Sequence, residues 1–239
     1  MFHRATTCSI SGLRRCCTRS YTADALYTRL GTTPPITALD AASIDTVRRR
    51  LHAAWQQGPP AHMQFKYRTE QEPGTAAVLL ALCMVDGHVS VLFEERNSRL
   101  AAHGGEVCFA GGKADPGDPT PEHTALRETW EELGLATDRI EVVGQLPPVP
   151  DKTRRLRVHT VVGVVKGDLD VRRLPVNSAE VHRAFALPLS HFYREDARGP
   201  ALFRGRYLIP QYSSDKPGLT IWGLTAFLLH EFLSRVRME

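Results

Sequence analysis

The residues with the most chemistry in this chain lie between Gly111 and Leu135. The run Gly111-Gly112-Lys113-Ala114-Asp115-Pro116-Gly117-Asp118 leads into Thr124-Ala125-Leu126-Arg127-Glu128-Thr129-Trp130-Glu131-Glu132-Leu133-Gly134-Leu135. The second stretch has the spacing of a helix. At about 100° per residue, Glu128, Glu131 and Glu132 fall on one side of it. Three carboxylates on one helix face repel one another, and a bound cation removes that repulsion. Their hard oxygen donors suit Mg²⁺ or Mn²⁺. Arg127 lies one helical turn before Glu131 and can hold its carboxylate in place. Glutamates on a helix, taken alone, read as a solvated acidic face. The glycine turn ahead of them, the arginine beside them and the closing Gly134-Leu135 together favour a metal site.

Such a helix needs fixed ends and a core to rest on. Asp118 or Thr120 can cap it, with Pro119 or Pro121 at its first position. Gly134 ends it, and Leu126 and Leu133 face away from the glutamates as core anchors. Ahead of it, residues 76–85 form an apolar run, followed by Asp86-Gly87, a two-residue hairpin signal, and a returning strand at 89–95. A loop through Gly104-Gly105 leads to a short strand at 107–109 that ends at Gly111-Gly112. Further strands are expected at 140–146, 156–165 and 203–212, with Pro147-Pro148-Val149-Pro150 as a rigid loop. Two more helices are expected. Residues 40–57 place Ile44, Val47, Leu51 and Trp55 at helical spacing, with Arg48-Arg49-Arg50 on the solvated side. Residues 221–236 place Leu224, Phe227, Leu228 and Phe232 on one face. Strands and helices alternate without a regular βαβ rhythm, so the expected class is α+β, a sandwich rather than a Rossmann sheet.

Composition narrows the partners. The 239-residue chain is 42% hydrophobic and 23% charged, the balance of a globular protein. The apolar run at 76–85 is too short to span a bilayer, which takes about 20 residues. The formal net charge of +4 comes from the first 23 residues, which hold Arg4, Arg14, Arg15 and Arg19 and no acid. Setting those four aside leaves basic and acidic residues equal, so bulk charge gives no case for nucleic acid. That leading segment, basic, hydroxylated and acid-free, has the composition of a mitochondrial presequence. Cys8, Cys16 and Cys17 fall within it. Cys83 and Cys108 sit in apolar stretches and are expected to be buried small hydrophobes.

The run from Arg127 to Leu135 resembles the second half of the Nudix hydrolase signature, Arg-Glu-U-x-Glu-Glu-x-Gly-U with U apolar. Thr129 stands at the first U position. The interval from Gly112 to Arg127 is one residue longer than in the general form and carries no early Glu. That longer interval, with Gly-Gly-Lys-x-Asp-x-x-Asp, resembles the coenzyme A diphosphatase branch. So does the preceding stretch with Arg96, Asn97, Leu100, His103, Gly105, Glu106, Val107, Phe109, Gly111 and Gly112 in register. Ala110 replaces a proline of that pattern, and Phe93-Glu94 departs from its usual Leu-Thr. Residues 184–189 and 221–226 also look like this branch.

The resemblance implies a Nudix-type α/β/α sandwich with a mixed central sheet. Together with the composition of the first 23 residues, it divides the chain into a presequence at 1–23, an extension with one helix at 24–72, and a Nudix domain at 73–239. It implies metal-dependent hydrolysis of the diphosphate of coenzyme A or acyl-coenzyme A, a small-molecule substrate, in the mitochondrion and most simply its matrix. Glu128, Glu131 and Glu132 become metal ligands, joined by the Gly112 carbonyl. Glu131, Glu132 and Arg127 carry catalysis. Arg96 and Lys113 are candidates for the diphosphate, and Glu180 is a candidate general base. Arg204 and Arg206 add cations for a 3′-phosphate. Phe203 and Trp222 are available as apolar walls, although for Trp222 a core position is the favoured expectation. Two other readings stay open: a Nudix enzyme for another nucleoside diphosphate derivative such as ADP-ribose, and a non-catalytic Nudix-fold subunit of a mitochondrial assembly.

Overall fold

The long apolar run becomes the spine of the molecule. In the computed structural model, which describes residues 27, 30, 36–58, 67, 72–203, 207–214 and 218–236, it forms strand β1 (Gly74–Val85). β1 is buried on both faces, which is why its sequence does not alternate. Asp86 and Gly87 both take positive φ, 49° and 75°. This turn reverses the chain into β2 (His88–Arg96), with Leu82 opposite Val91 and Val85 opposite His88. Two short strands follow, β3 (Val107–Cys108) and β4 (Gly111–Lys113). β5 (Ile140–Pro150) and β6 (Leu156–Asp168) come after the glutamate helix, and β7 (Val181–Pro188) returns along β2. These seven strands make one sheet in the order β3-β2-β1-β6-β5, with β4 added on β1 and β7 on β2. Only β1 and β6 run parallel. The sheet is therefore mixed.

Helices cover both faces. On one side lie α1 (Ala41–Gln57) and the closing helix, packed over Leu80, Val162 and Val164 through Leu51 and Phe232. On the other side lies α2 (Pro121–Leu133), whose Ala125 and Leu133 pack over Ala77, Leu79 and Val161. The result is the α/β/α sandwich expected from the sequence. A separate three-stranded sheet, in the order β10-β9-β8, joins β8 (Arg198–Phe203), β9 (Tyr207–Ser213) and β10 (Thr220–Ile221). The closing helix α3 runs from Gly223 to Arg235.

Several expectations are corrected. The span 203–212 is not one strand but the hairpin of β8 and β9, with Phe203 opposite Tyr207. Pro147-Pro148-Val149-Pro150 is not a loop. It lies in β5, an edge strand whose pairing to β6 shifts register between Leu146 and Val149. A bulged edge is where proline is tolerated in a sheet. Trp55 is 43% exposed because it sits beside Arg48, Leu51 and His52 over an open groove floored by Val143, Gly144 and Gln145. Trp222 is not a core residue. It is 46% exposed at the start of α3, and Leu224 two residues on is also exposed, while Leu228 and Phe232 are buried. Arg48 and Arg49 stay on the solvated side as expected, and Arg48 pairs there with Glu141 at 2.7 Å.

Candidate functional site

The glutamates owe their places to how α2 is tied down. Thr120 is its N-cap and accepts from the His123 N–H at 3.2 Å, and Pro121 takes the first turn. Asp118 is therefore not the cap. Its buried carboxylate receives Arg127 instead, through Nε at 3.1 Å and Nη2 at 2.9 Å. At the far end Gly134 turns left-handed at φ 63°. The Asn177 N–H then donates to the Glu132 carbonyl at 2.8 Å, docking the loop ahead of β7 onto the helix terminus.

Arg127 organises the near side of the site. Besides Asp118, it donates to Glu131 at 2.9 Å, Glu128 at 3.0 Å and the Lys113 carbonyl at 3.2 Å. All three of its nitrogens are engaged with protein, so its role is to position others. The contact to Glu131 is the one expected from the helical spacing. The hydrogen bonds from Arg127 hold the Asp118 carboxyl well below its ordinary range.

The glutamates differ in surroundings. Glu131 is the most exposed of the three. Glu128 is mostly buried, and burial pushes its carboxyl upward against the pull of Arg127. Glu132 is only 2% exposed. Its Oε2 accepts from the Gly111 N–H at 2.8 Å, and Arg96 approaches its Oε1 at 3.4 Å. Burial, then the neighbouring Glu94, push its carboxyl upward. The glycines are there because nothing larger fits. A Cβ on Gly112 would collide with the Glu128 carboxylate, and one on Gly111 with the Ala77 carbonyl of β1. Gly112 is thereby held against Glu128.

Across the cleft, Glu180 is fixed by its backbone. The Asn97 N–H donates to the Glu180 carbonyl at 2.7 Å, and the Glu180 N–H donates to the Asn177 carbonyl at 3.0 Å. Its charge is felt by both Glu128 and Glu94. Arg96 lies within the site with its Nη1 between Glu94 and Glu132. Lys113 is exposed at the rim. Arg204 and Arg206 lie outside the described residues, as does the side chain of Phe203. The short strand β10, just before Trp222, packs beside β3.

Glu94 escaped the sequence reading as a site residue. It is fully buried on β2, where Cys108 donates to its Oε1 at 3.2 Å and Arg96 stands 3.6 Å away. The available signal was a carboxylate directly following the largely apolar run Val89 to Phe93. Cys108 is accordingly more than a small hydrophobe, whereas Cys83 is fully buried and burial pushes its thiol up to about 12. Among the described residues no group of three or more His, Cys, Asp or Glu side chains is placed so that it could hold a metal ion as it stands. The donor set nevertheless fits a hard cation. Glu94 and Glu132 share Arg96, Glu128 and Glu131 share Arg127 with Asp118, and the Oε2 of Glu94 has no partner at all. Among the described residues no helix is long and apolar enough to cross a membrane.

The NUDIX domain family model matches residues 73–210. The chain is 44% identical over 166 residues to the mitochondrial coenzyme A diphosphatase NUDT8 of Homo sapiens, covering 67% of this chain and 69% of that protein. It is 34% identical over 174 residues to Nudix hydrolase 3 of Caenorhabditis elegans, covering 66% and 71%. It is 36% identical over 164 residues to the mitochondrial Nudix hydrolase 15 of Arabidopsis thaliana, covering 66% and 57%.

Proposed function

The chain belongs to the Nudix hydrolase family, and we propose that it cleaves the diphosphate of coenzyme A or acyl-coenzyme A in mitochondria, most simply in the matrix. The products are 3′,5′-ADP and 4′-phosphopantetheine or its acyl form. One observation carries this reading. The glutamate helix of the family is joined, through Gly111-Gly112, to the stretch from Arg96 to Phe109 that resembles the coenzyme A diphosphatase branch, and a relative 44% identical is named for that activity. In this reading residues 1–23 are the presequence, 24–72 an extension and 73–239 the catalytic domain.

Glu128, Glu131 and Glu132, with the Gly112 carbonyl, would hold a hard divalent cation, Mg²⁺ or Mn²⁺. Such an ion neutralises diphosphate charge and lowers the pKa of a bound water. Arg127 keeps Glu128 and Glu131 aimed, using Asp118 as its own anchor. Arg96 keeps Glu132 in place and, with Lys113 at the rim, offers positive charge to the diphosphate. Glu180 is the proposed base. It takes the proton from the attacking water as the new phosphorus–oxygen bond forms and the bridging oxygen leaves with its electron pair. Its backbone anchoring, with its charge acting on Glu128, supports that role.

Product analysis by mass spectrometry tests the reading. Coenzyme A incubated with enzyme and Mg²⁺ should yield 3′,5′-ADP and 4′-phosphopantetheine, and excess chelator should abolish turnover. Unchanged turnover in chelator would defeat the metal assignment. Turnover of ADP-ribose alone would move the chain to another substrate, and no turnover of either would favour a non-catalytic subunit.

A further inference from the structure

β2 carries a carboxylate where its burial has no place for one. Residues 89–94 of this strand are all buried, and Glu94 is 0% exposed. It is flanked by pairing strands on both sides, opposite Cys108 of β3 and Ala184 of β7. A charge in such a position is costly unless it is paired and hydrogen-bonded. Glu94 is half provided for. Its Oε1 takes the Cys108 thiol and faces Arg96, but its Oε2 has no partner, the only buried carboxylate oxygen among the described residues in that state. Protonation removes the charge but still leaves Oε2 without a hydrogen-bond partner. Arg96 does not resolve it either, since the same nitrogen also serves Glu132 at 3.4 Å. The charges of Glu128, Glu132 and Glu180 are all close enough to act on this cluster.

We propose that Glu94 is a further carboxylate of the cation site, offering its Oε2 to the ion that Glu128 and Glu132 hold. This rests on the metal reading above but extends it to a strand outside the glutamate helix, at a position where the resembling branch carries threonine. A cation supplies the missing partner and offsets the crowding of buried carboxylates. One more anionic oxygen raises affinity for a hard ion. The apo protein, in turn, is destabilised by the carboxylate it holds ready.

Mn²⁺ binding to the full chain tests this, read by the electron paramagnetic signal of free Mn²⁺ and by the rise in Tm when the ion is added. Glu94→Gln keeps the size and removes the charge. It should weaken Mn²⁺ binding about tenfold or more, while the Tm of the metal-free protein stays level or rises. Glu94→Asp keeps the charge but withdraws the oxygen, and should also weaken binding should the glutamine variant fail to fold. Wild-type affinity in these variants, with affinity lost in Glu128→Gln, overturns the role of Glu94 and leaves the metal site standing. Wild-type affinity in Glu128→Gln as well overturns both.

Discussion

Glu132 and Arg127 serve one site in opposite ways, the first by holding charge under cover and the second by holding others still. Replacing Glu132 or Glu131 by Gln should lower kcat by about 10²-fold or more, the scale of one electrostatic group in a transition state. Thermal denaturation should show stability unchanged or slightly higher, because repulsion among carboxylates is relieved. The double variant should be little worse than either single one, since the groups act as a unit. Full kcat in both singles would remove these residues from the mechanism. Arg127 makes a different prediction through Asp118. The folded-state value of Asp118 lies below its ordinary 3.8, first because of the hydrogen bonds from Arg127. A lowered carboxyl stabilises the fold above its unfolded value, and the contribution is lost as pH falls toward the folded value. The Tm gap between wild type and Asp118→Asn should therefore be constant near neutrality and narrow below about pH 4. A gap that does not change with pH would mean that the Asp118–Arg127 pair adds nothing to folding.

Elements set those residues in place, and glycine governs the closest approach. Gly111 has φ 153° and lies against the β1 backbone. Gly111→Ala should cost about 1–3 kcal/mol in denaturant unfolding. Gly112→Ala meets only the side-chain carboxylate of Glu128 rather than backbone, so its stability should change less than its kcat, which should fall at least tenfold if Glu128 must keep its position. Equal stability losses at the two positions would contradict the register of β4 on β1. The helix α2 and strand β1 were legible in the sequence because their signals are local: a cap, a proline, a periodic face, an unbroken apolar run. β4 and β7 were not. β4 is three residues whose extended form depends on β1, and β7 is held by β2 from far along the chain. The same distance hid Glu94, since its neighbours Cys108 and Glu132 arrive from other elements. Trp222 read as core from its type and emerged at the surface, because it stands where α3 begins rather than on its packed face.

The whole molecule combines an acid-free leading segment, residues 1–23, with a formally neutral remainder. If the leader is an import signal, amino-terminal sequencing of the protein from mitochondria should begin near residues 20–24, and an intact Met1 in a cytosolic fraction would refute it. The fold class, both sandwich layers and the glutamate helix agree with the family resemblance, so the open question at this scale is which diphosphate enters. Coenzyme A differs from ADP-ribose in its 3′-phosphate and its partly apolar pantetheine arm. Charge-assisted contacts to a phosphate are among the stronger polar interactions.

The most direct measurement is kcat/KM for coenzyme A, 3′-dephospho-coenzyme A and ADP-ribose under one set of conditions with Mg²⁺. Coenzyme A should exceed its dephospho form by about tenfold, the worth of one good phosphate contact, and ADP-ribose should be poorer still. Equal values for all three, or faster cleavage of ADP-ribose, would contradict the assignment.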